Sequence, residues 1–305
     1  MLFGKYDFSC VFQNDSILPS HKCSIFRGIF GYALKTVVCA LKQQECSECI
    51  LKKTCVFTLI FETGNENLKP FVIEPPLTKE ISFPVNSSFD FSLILFGKAN
   101  NYLPYAIYSF YEIGKIGIGQ KRDNKRGKFI INHVKFQDKI IYSYNDQTLD
   151  FNENLPNLSV FLDKSYAYPN GEMKIKLYFK TPLRIKHENK FNVDNIPFHI
   201  LIRTILRRIS SLFNAFGYGE PILDYKGLVT RANDVKIIDS NIEWLDYKRY
   251  SSRQEEEMFF GGIIGDITYQ GKLDEFMPLI NLASKIHIGK QTTFGLGNIK
   301  AEIIL

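Results

Sequence analysis

Two stretches of this chain follow one plan, and that repetition limits the possible folds more than any other feature. Near the middle, Tyr108-Ser-Phe-Tyr-Glu-Ile-Gly114-Lys-Ile-Gly117-Ile-Gly119-Gln ends a helical pattern, enters a glycine-rich loop and leads to a strand, Phe129 to Val134. At the C-terminus, a helix predicted over Leu273 to Lys285 runs into a loop, 287–297, that carries Gly289, Gly295 and Gly297. The apolar strand Ile299 to Leu305 follows. Strand, helix and strand signals precede each copy. Such self-similarity describes a duplicated unit rather than one large domain.

In the first copy, Tyr6 to Phe12 reads as a strand, and Ser20 as the N-cap of a helix from His21 to about Leu41. Gly28 and Gly31 cost helix propensity, which predicts close packing at both. Val56 to Phe61 and Phe89 to Phe96 read as strands, and Leu103 to Ile113 as a helix. The resulting order, βαββαβ, is that of a ferredoxin-like unit, a class that includes RNA-recognition modules. The second copy opens with a strand at Met173 to Thr181. Asp194 or Asn195 then caps a helix with Pro197 in its first turn. Phe198, Leu201, Ile205, Ile209 and Leu212 form its apolar stripe, while His199, Arg203 and Arg207 recur every four residues on another face. Strands near Val235 to Trp244 and Phe259 to Tyr269 complete the pattern. The expected architecture is α+β: tandem ferredoxin-like domains over 1–137 and 172–305, a polar linker at 138–171, and a cysteine-rich insertion in the first domain.

Charge concentrates on both loops. Gly114 to Lys128 holds Lys115, Lys121, Arg122, Lys125, Arg126 and Lys128 against Asp123 alone, and Lys285, His287, Lys290 and Lys300 flank the second loop. Clustered glycines let a backbone turn tightly and present N–H groups as donors. A donor-rich cationic loop beside a sheet suits a phosphate-bearing polymer better than a small neutral ligand. The net charge of +6 is moderate, so its distribution decides the argument. Among 26 Phe and 16 Tyr most rings must be core, but exposed ones can stack on bases. A hydrophobic content of 45% is that of a soluble globular chain. The N-terminus lacks a basic leader followed by an apolar core, and no run approaches the roughly 20 apolar residues that span a bilayer. The expected location is cytoplasmic, where thiols stay reduced.

Reduced thiols make Cys39-x6-Cys46-x2-Cys49-x5-Cys55 a candidate metal site. The Cys-x2-Cys pair lets one turn present two thiolates, and the flanking cysteines complete four-coordination. Structural zinc is the default; an iron–sulfur cluster uses the same ligands. Cys10 and Cys23 read as packing residues.

Several further motifs occur in order along the chain. They are Arg27-Gly28-Ile-Phe-Gly31-Tyr-Ala-Leu followed by the cysteines, Phe179-Lys-Thr-Pro182-Leu-Arg184, Arg207-Arg208-Ile-Ser-Ser-Leu, and Arg249-Tyr-Ser-Ser-Arg253-Gln254. With the terminal glycine loop they resemble the CRISPR-associated RAMP endoribonucleases that cut precursor CRISPR RNA within its repeats. The resemblance implies metal-independent attack of a 2′-hydroxyl, a 2′,3′-cyclic phosphate product and repeat RNA as partner. A non-catalytic RAMP subunit holding guide RNA in an effector complex is the alternative. Such cleavage needs proton transfer, for which histidine suits neutral pH, and cations on the phosphate. Of five histidines, His287 ranks first because Lys290 and the loop amides are its neighbours. Members of the family place a catalytic histidine at differing positions, several near the first helix, so His21 ranks second and Tyr32 third. Lys290, Gly289, Gly295, Gly297, Arg203, Arg207, Lys115, Lys121, Arg122 and Arg27 are the expected RNA contacts.

Overall fold

The computed structural model describes residues 1–62, 68–122, 125–162, 171–186, 195–251 and 256–304. They form a mixed α/β fold with antiparallel sheets. Two compact units divide the chain, Leu2–Pro156 and Asn157–Leu305, the latter together with Met1.

In the N-terminal unit, β1 (Phe3–Phe12) leads through the short β2 (Ser16–Ile17) to α1 (Cys23–Val38) and α2 (Val56–Phe61). Then come β3 (Phe71–Glu74), β4 (Ser82–Phe83), β5 (Ser88–Phe96) and α3 (Leu103–Ile116). A basic hairpin follows, β6 (Ile118–Arg122) and β7 (Lys125–Gly127), before β8 (Phe129–Phe136) and β9 (Lys139–Ser143). The main sheet runs β3-β5-β1-β8-β9, and all its pairings are antiparallel. Alternation along β1 turns Tyr6, Phe8, Cys10 and Phe12 to one buried face. On that face Phe8 of β1 stacks on Phe91 of β5 at 4.6 Å between centroids, and in the helices that cover it Phe30 of α1 stacks on Phe110 of α3 at 4.9 Å. Much of the chain's phenylalanine is thus absorbed by one core.

The C-terminal unit has β10 (Glu172–Leu183), α4 (Phe198–Phe216), α5 (Tyr225–Arg231), β11 (Lys236–Ser251), β12 (Glu256–Lys272), α6 (Met277–Ile286) and β13 (Ile299–Ile304). Its antiparallel sheet runs β11-β12-β10-β13. Leu201, Ile205, Ile209 and Leu212 of α4 are fully buried, as the apolar stripe requires. No helix among the described residues is long and apolar enough to cross a membrane.

Four expectations are corrected. Val56 to Phe61 is helix α2, and Phe71–Glu74 supplies the strand instead. A short apolar run has no periodicity of its own; here Phe57, Ile60 and Phe61 bury one helical face. The stretch 138–171 does not start as a linker, because Lys139–Ser143 pairs with β8. Helix α1 starts at Cys23 without a side-chain cap, so Ser20 plays no capping role. Pro197 is the N-cap residue of α4 rather than part of its first turn. Asp194 and His187 lie outside the described residues.

Candidate functional site

The C-terminal glycine loop is a closed clasp. His287, Gly289, Gln291, Gly295 and Gly297 all have positive φ, which bends the chain back on itself. Ile288 N donates to Gly297 O at 3.0 Å, Gly297 N to Pro182 O at 3.1 Å, and Lys290 N to Arg184 O at 3.0 Å. Thr181 Oγ1 donates to Gly295 O at 2.8 Å and accepts from Asn298 N at 2.9 Å. The loop is therefore laced to the end of β10, which explains the Thr-Pro-Leu-Arg motif there. It also corrects the expectation of free donors: the Ile288, Lys290, Gly295 and Gly297 amides are spent within the protein. Of the glycines, Gly295 and Gly297 are buried and Gly289 is half-buried. Lys290 alone among the expected contacts in this loop is exposed.

His287 belongs to the clasp. It is 0% exposed, and its Nδ1 lies 3.0 Å from Leu296 O. Its backbone, at φ 55° and ψ 145°, occupies a region that costs a non-glycine residue roughly 1–3 kcal/mol and persists only where surroundings impose it. Those surroundings include the buried Arg208, whose Nε and Nη2 donate to His287 O at 3.1 Å and Ile286 O at 3.2 Å. The guanidinium thus satisfies carbonyls left over at the C-terminus of α6, at the negative end of the helix dipole. Burial pushes its pKa down to about 9, and it stays charged at neutral pH. The first-ranked catalytic residue is thus found with its imidazole buried inside the clasp rather than facing solvent. Arg208 was missed as a clamp, although its place three residues after Ile205, on the apolar face of α4, was a readable signal.

Arg203 and Arg207 are exposed one turn apart on α4, a basic stripe suited to a phosphate backbone. In the N-terminal unit Lys121, Lys125, Arg126 and Lys128 are exposed on and beside the β6–β7 hairpin. Arg122 ends β6, and its side chain lies outside the described residues, as do Arg253 and Gln254. Lys115 is engaged elsewhere. Its ammonium is 2.9 Å from Glu112 Oε1 and 4.2 Å from the centre of the Tyr111 ring, so its charge is already partnered. Arg27 is half-buried with its guanidinium 5.5 Å from the centre of the Phe61 ring.

At the start of α1 the residues converge. His21 is half-buried just before the helix. Burial, with the ammonium groups of Lys79 and Lys22, holds its pKa below the ordinary value, so the ring is neutral at pH 7. Lys22 is itself buried and donates to Thr78 O at 2.7 Å and Glu80 O at 2.8 Å. Those bonds, and Leu18 N to Ile81 O at 2.9 Å, strap residues 78–81 beside His21 and bring the exposed Lys79 within electrostatic range. Sequence reasoning missed Lys79 because only this long-range strap makes the pair.

Gly28, Tyr32 and Thr36 then form an exposed strip along α1, with Tyr32 67% exposed. The two helix glycines differ in kind. A Cβ at Gly31 would sit 2.9 Å from the Phe61 ring, whereas one at Gly28 would meet none of the described residues within 4 Å. Packing accounts for Gly31 and corrects the same expectation for Gly28, which leaves bare helix backbone open to solvent. Cys39, Cys46, Cys49 and Cys55 are all half-buried in the loop after α1. Among the described residues no three His, Cys, Asp or Glu side chains are yet drawn together as a metal would hold them.

Residues 1–154 match a family model described as an N-terminal domain (AF_1859_N), and residues 177–299 match the model of the CRISPR-associated endoribonuclease Cas6. An uncharacterized protein of Archaeoglobus fulgidus is 26% identical over 290 residues, 92% of this chain and 91% of that one. Among solved structures, Thermus thermophilus Cas6 shares the fold with a TM-score of 0.58 at 13% identity, over 99% of this chain and 98% of that one. A Cas6 product complex gives 0.55 at 14% identity, over 99% of both chains. A partial Cas6-RT-Cas1–Cas2 complex gives 0.62 at 12% identity and covers 100% of this chain. This chain spans 46% of the matched chain's length there, and 29% in a second such complex. Matched in order along both of its units, the chain carries the N-terminal domain AF_1859_N over residues 1–154 and a domain of the CRISPR-associated endoribonuclease Cas6 family over residues 177–299.

Proposed function

We propose that this protein is an endoribonuclease that binds CRISPR repeat RNA and cuts it once, without metal, through attack of a 2′-hydroxyl on the adjacent phosphate. Its two units are read as tandem ferredoxin-like domains, since each runs βαββαβ with the sheet order second-third-first-fourth. Exposed Arg203, Arg207, Lys290 and Lys121 supply phosphate contacts. The Cas6 structures in product and Cas1–Cas2 complexes make repeat RNA and a larger CRISPR assembly the natural partners.

The chemistry is assigned to the head of α1. Neutral His21 takes the 2′-hydroxyl proton, and the alkoxide oxygen attacks phosphorus. The bond from phosphorus to the 5′-oxygen breaks, that oxygen takes a proton from solvent water, and the products are a 2′,3′-cyclic phosphate and a 5′-hydroxyl. Lys79 faces the charge that builds on the phosphate oxygens. Tyr32 lies eleven residues along, about 16 Å down a helix axis, too far to share that phosphate with His21. Its exposed ring instead stacks on a neighbouring base.

The observation that carries this reading is Gly28. A glycine inside a helix costs about 1 kcal/mol relative to alanine, and none of the described residues occupies the space it leaves. A ribose-phosphate backbone crossing the helix between His21 and Tyr32 would use that space. Gly28→Ala is accordingly expected to raise Tm by roughly 2–4 °C and yet slow repeat cleavage at least tenfold. Thermal melting and single-turnover kinetics on the same preparations check this. A stabilised variant that cleaves at the wild-type rate removes α1 from the site.

A further inference from the structure

We propose that Cys39, Cys46, Cys49 and Cys55 bind one zinc ion through four thiolates, stapling the 39–55 loop onto the ends of α1 and α2. Across 39–55 the four cysteines are the residues that are not exposed; every other residue of the loop is. Leu41 and Leu51 face solvent, and Ile50 is 84% exposed. A loop held by the hydrophobic effect would do the reverse, turning its aliphatic side chains in before its thiols. Here the thiols are the sheltered side chains and the aliphatics the exposed ones, an ordering that a thiolate-bound ion accounts for and the hydrophobic effect does not.

The placement of the four supports the same reading. Cys39 is the C-cap of α1, its N–H donating to Lys35 O at 2.9 Å, and Cys55 is the N-cap of α2, its carbonyl accepting from Leu59 N at 3.0 Å. Two ligands thus stand on the ends of helices, and the Cys46-Ser-Glu-Cys49 turn brings the other pair. Cys39, Cys49 and Cys55 line one cavity of 340 Å³, and Cys46 and Cys55 each pack against the edge of the phenylalanine core. Short-range turns close the segment between them, Glu48 N to Glu45 O at 3.1 Å and Lys52 N to Cys49 O at 3.0 Å. The 46–49 turn can therefore swing in as a unit when an ion draws the thiolates together.

Four soft thiolates select zinc over magnesium or calcium, and a closed set of four is a structural rather than a catalytic site. Each thiol gives up its proton on binding. Lys42, Lys52 and Lys53 on the loop surface offset the double negative charge of the resulting centre. None of this depends on ribonuclease activity.

Elemental analysis of freshly purified full-length protein is expected to find about one zinc per chain, released in step with titration of four thiols by a mercurial. Cys46→Ser and Cys49→Ser should lose the zinc and lower Tm by several degrees, while Cys23→Ser keeps both. Repeat cleavage well below the transition should be retained in all three. If the serine variants do not fold, cobalt(II) exchanged into the wild-type protein should show thiolate-to-cobalt charge transfer and tetrahedral visible bands. Protein without zinc after growth in zinc-supplemented medium, zinc retained by the Cys46→Ser Cys49→Ser double variant, or iron with inorganic sulfide in its place overturns the assignment.

Discussion

His21→Ala is expected to slow single-turnover cleavage of repeat RNA by about 10²–10⁴-fold, the usual contribution of a positioned acid or base. RNA affinity and Tm should change little, because the side chain sits half-exposed ahead of α1 and outside the ring-packed core. The pH profile gives a second reading. Burial, Lys79 and Lys22 all disfavour the imidazolium, so the folded pKa lies below the ordinary value of about 6.5. A general base must be neutral, so the rate should rise with pH through an inflection below that value and be level at pH 7. Lys79→Ala should move the inflection up, because a neighbouring positive charge has been removed. His287→Ala should behave differently. Its ring is sealed inside the clasp, so the variant should melt earlier, with rate and binding falling together. An intact rate in His21→Ala would remove the base from α1.

Gly297→Val should produce the largest loss of stability. Gly297 has φ +75°, and a Cβ there would overlap Ile288 O, the carbonyl of the residue whose N–H donates to Gly297 O. The clash is with backbone on a doubly tied loop, so no side chain can swing aside. Relief requires breaking the Ile288–Gly297 and Gly297–Pro182 hydrogen bonds, and β13 leaves β10 with them. A strained φ, an overlap and two lost bonds together cost about 4 kcal/mol, or roughly 8–16 °C in Tm for a unit of this size. Differential scanning calorimetry would show the transition that includes the C-terminal unit shifted down. A valine variant that melts within 2 °C or so of wild type would show that the loop is not the clasp described.

Much of the fold was legible because its periodicities are strong. The alternation of Tyr6, Phe8, Cys10 and Phe12, the wide apolar stripe of α4 and the repeated helix–loop–strand ending each follow from the sequence alone. What misled was chemistry inferred from neighbours in sequence. His287 beside Lys290 and three glycines looks like an anion site, yet the glycines serve a backbone fold-back that buries the imidazole and uses the amides. Conversely, His21 and Lys79 are separated by a long stretch of chain, and the bonds from Lys22 to Thr78 and Glu80, with that from Leu18 to Ile81, bring them together. Gly28 and Gly31 are indistinguishable in sequence; the Phe61 ring against one and open space over the other tell them apart. The Val56–Phe61 run is ambiguous by itself, and its helical state is decided by which faces the core accepts.

The account stands or falls on one measurement: wild-type protein incubated with repeat RNA in EDTA, with the product ends identified. The expected result is a single cut leaving a 2′,3′-cyclic phosphate and a 5′-hydroxyl, and no cut when the nucleotide 5′ of that phosphate carries a 2′-deoxy sugar. Repeat RNA that is bound tightly but stays intact would contradict it and make the protein a guide-holding subunit. Cleavage that persists with the 2′-deoxy substrate would contradict the mechanism.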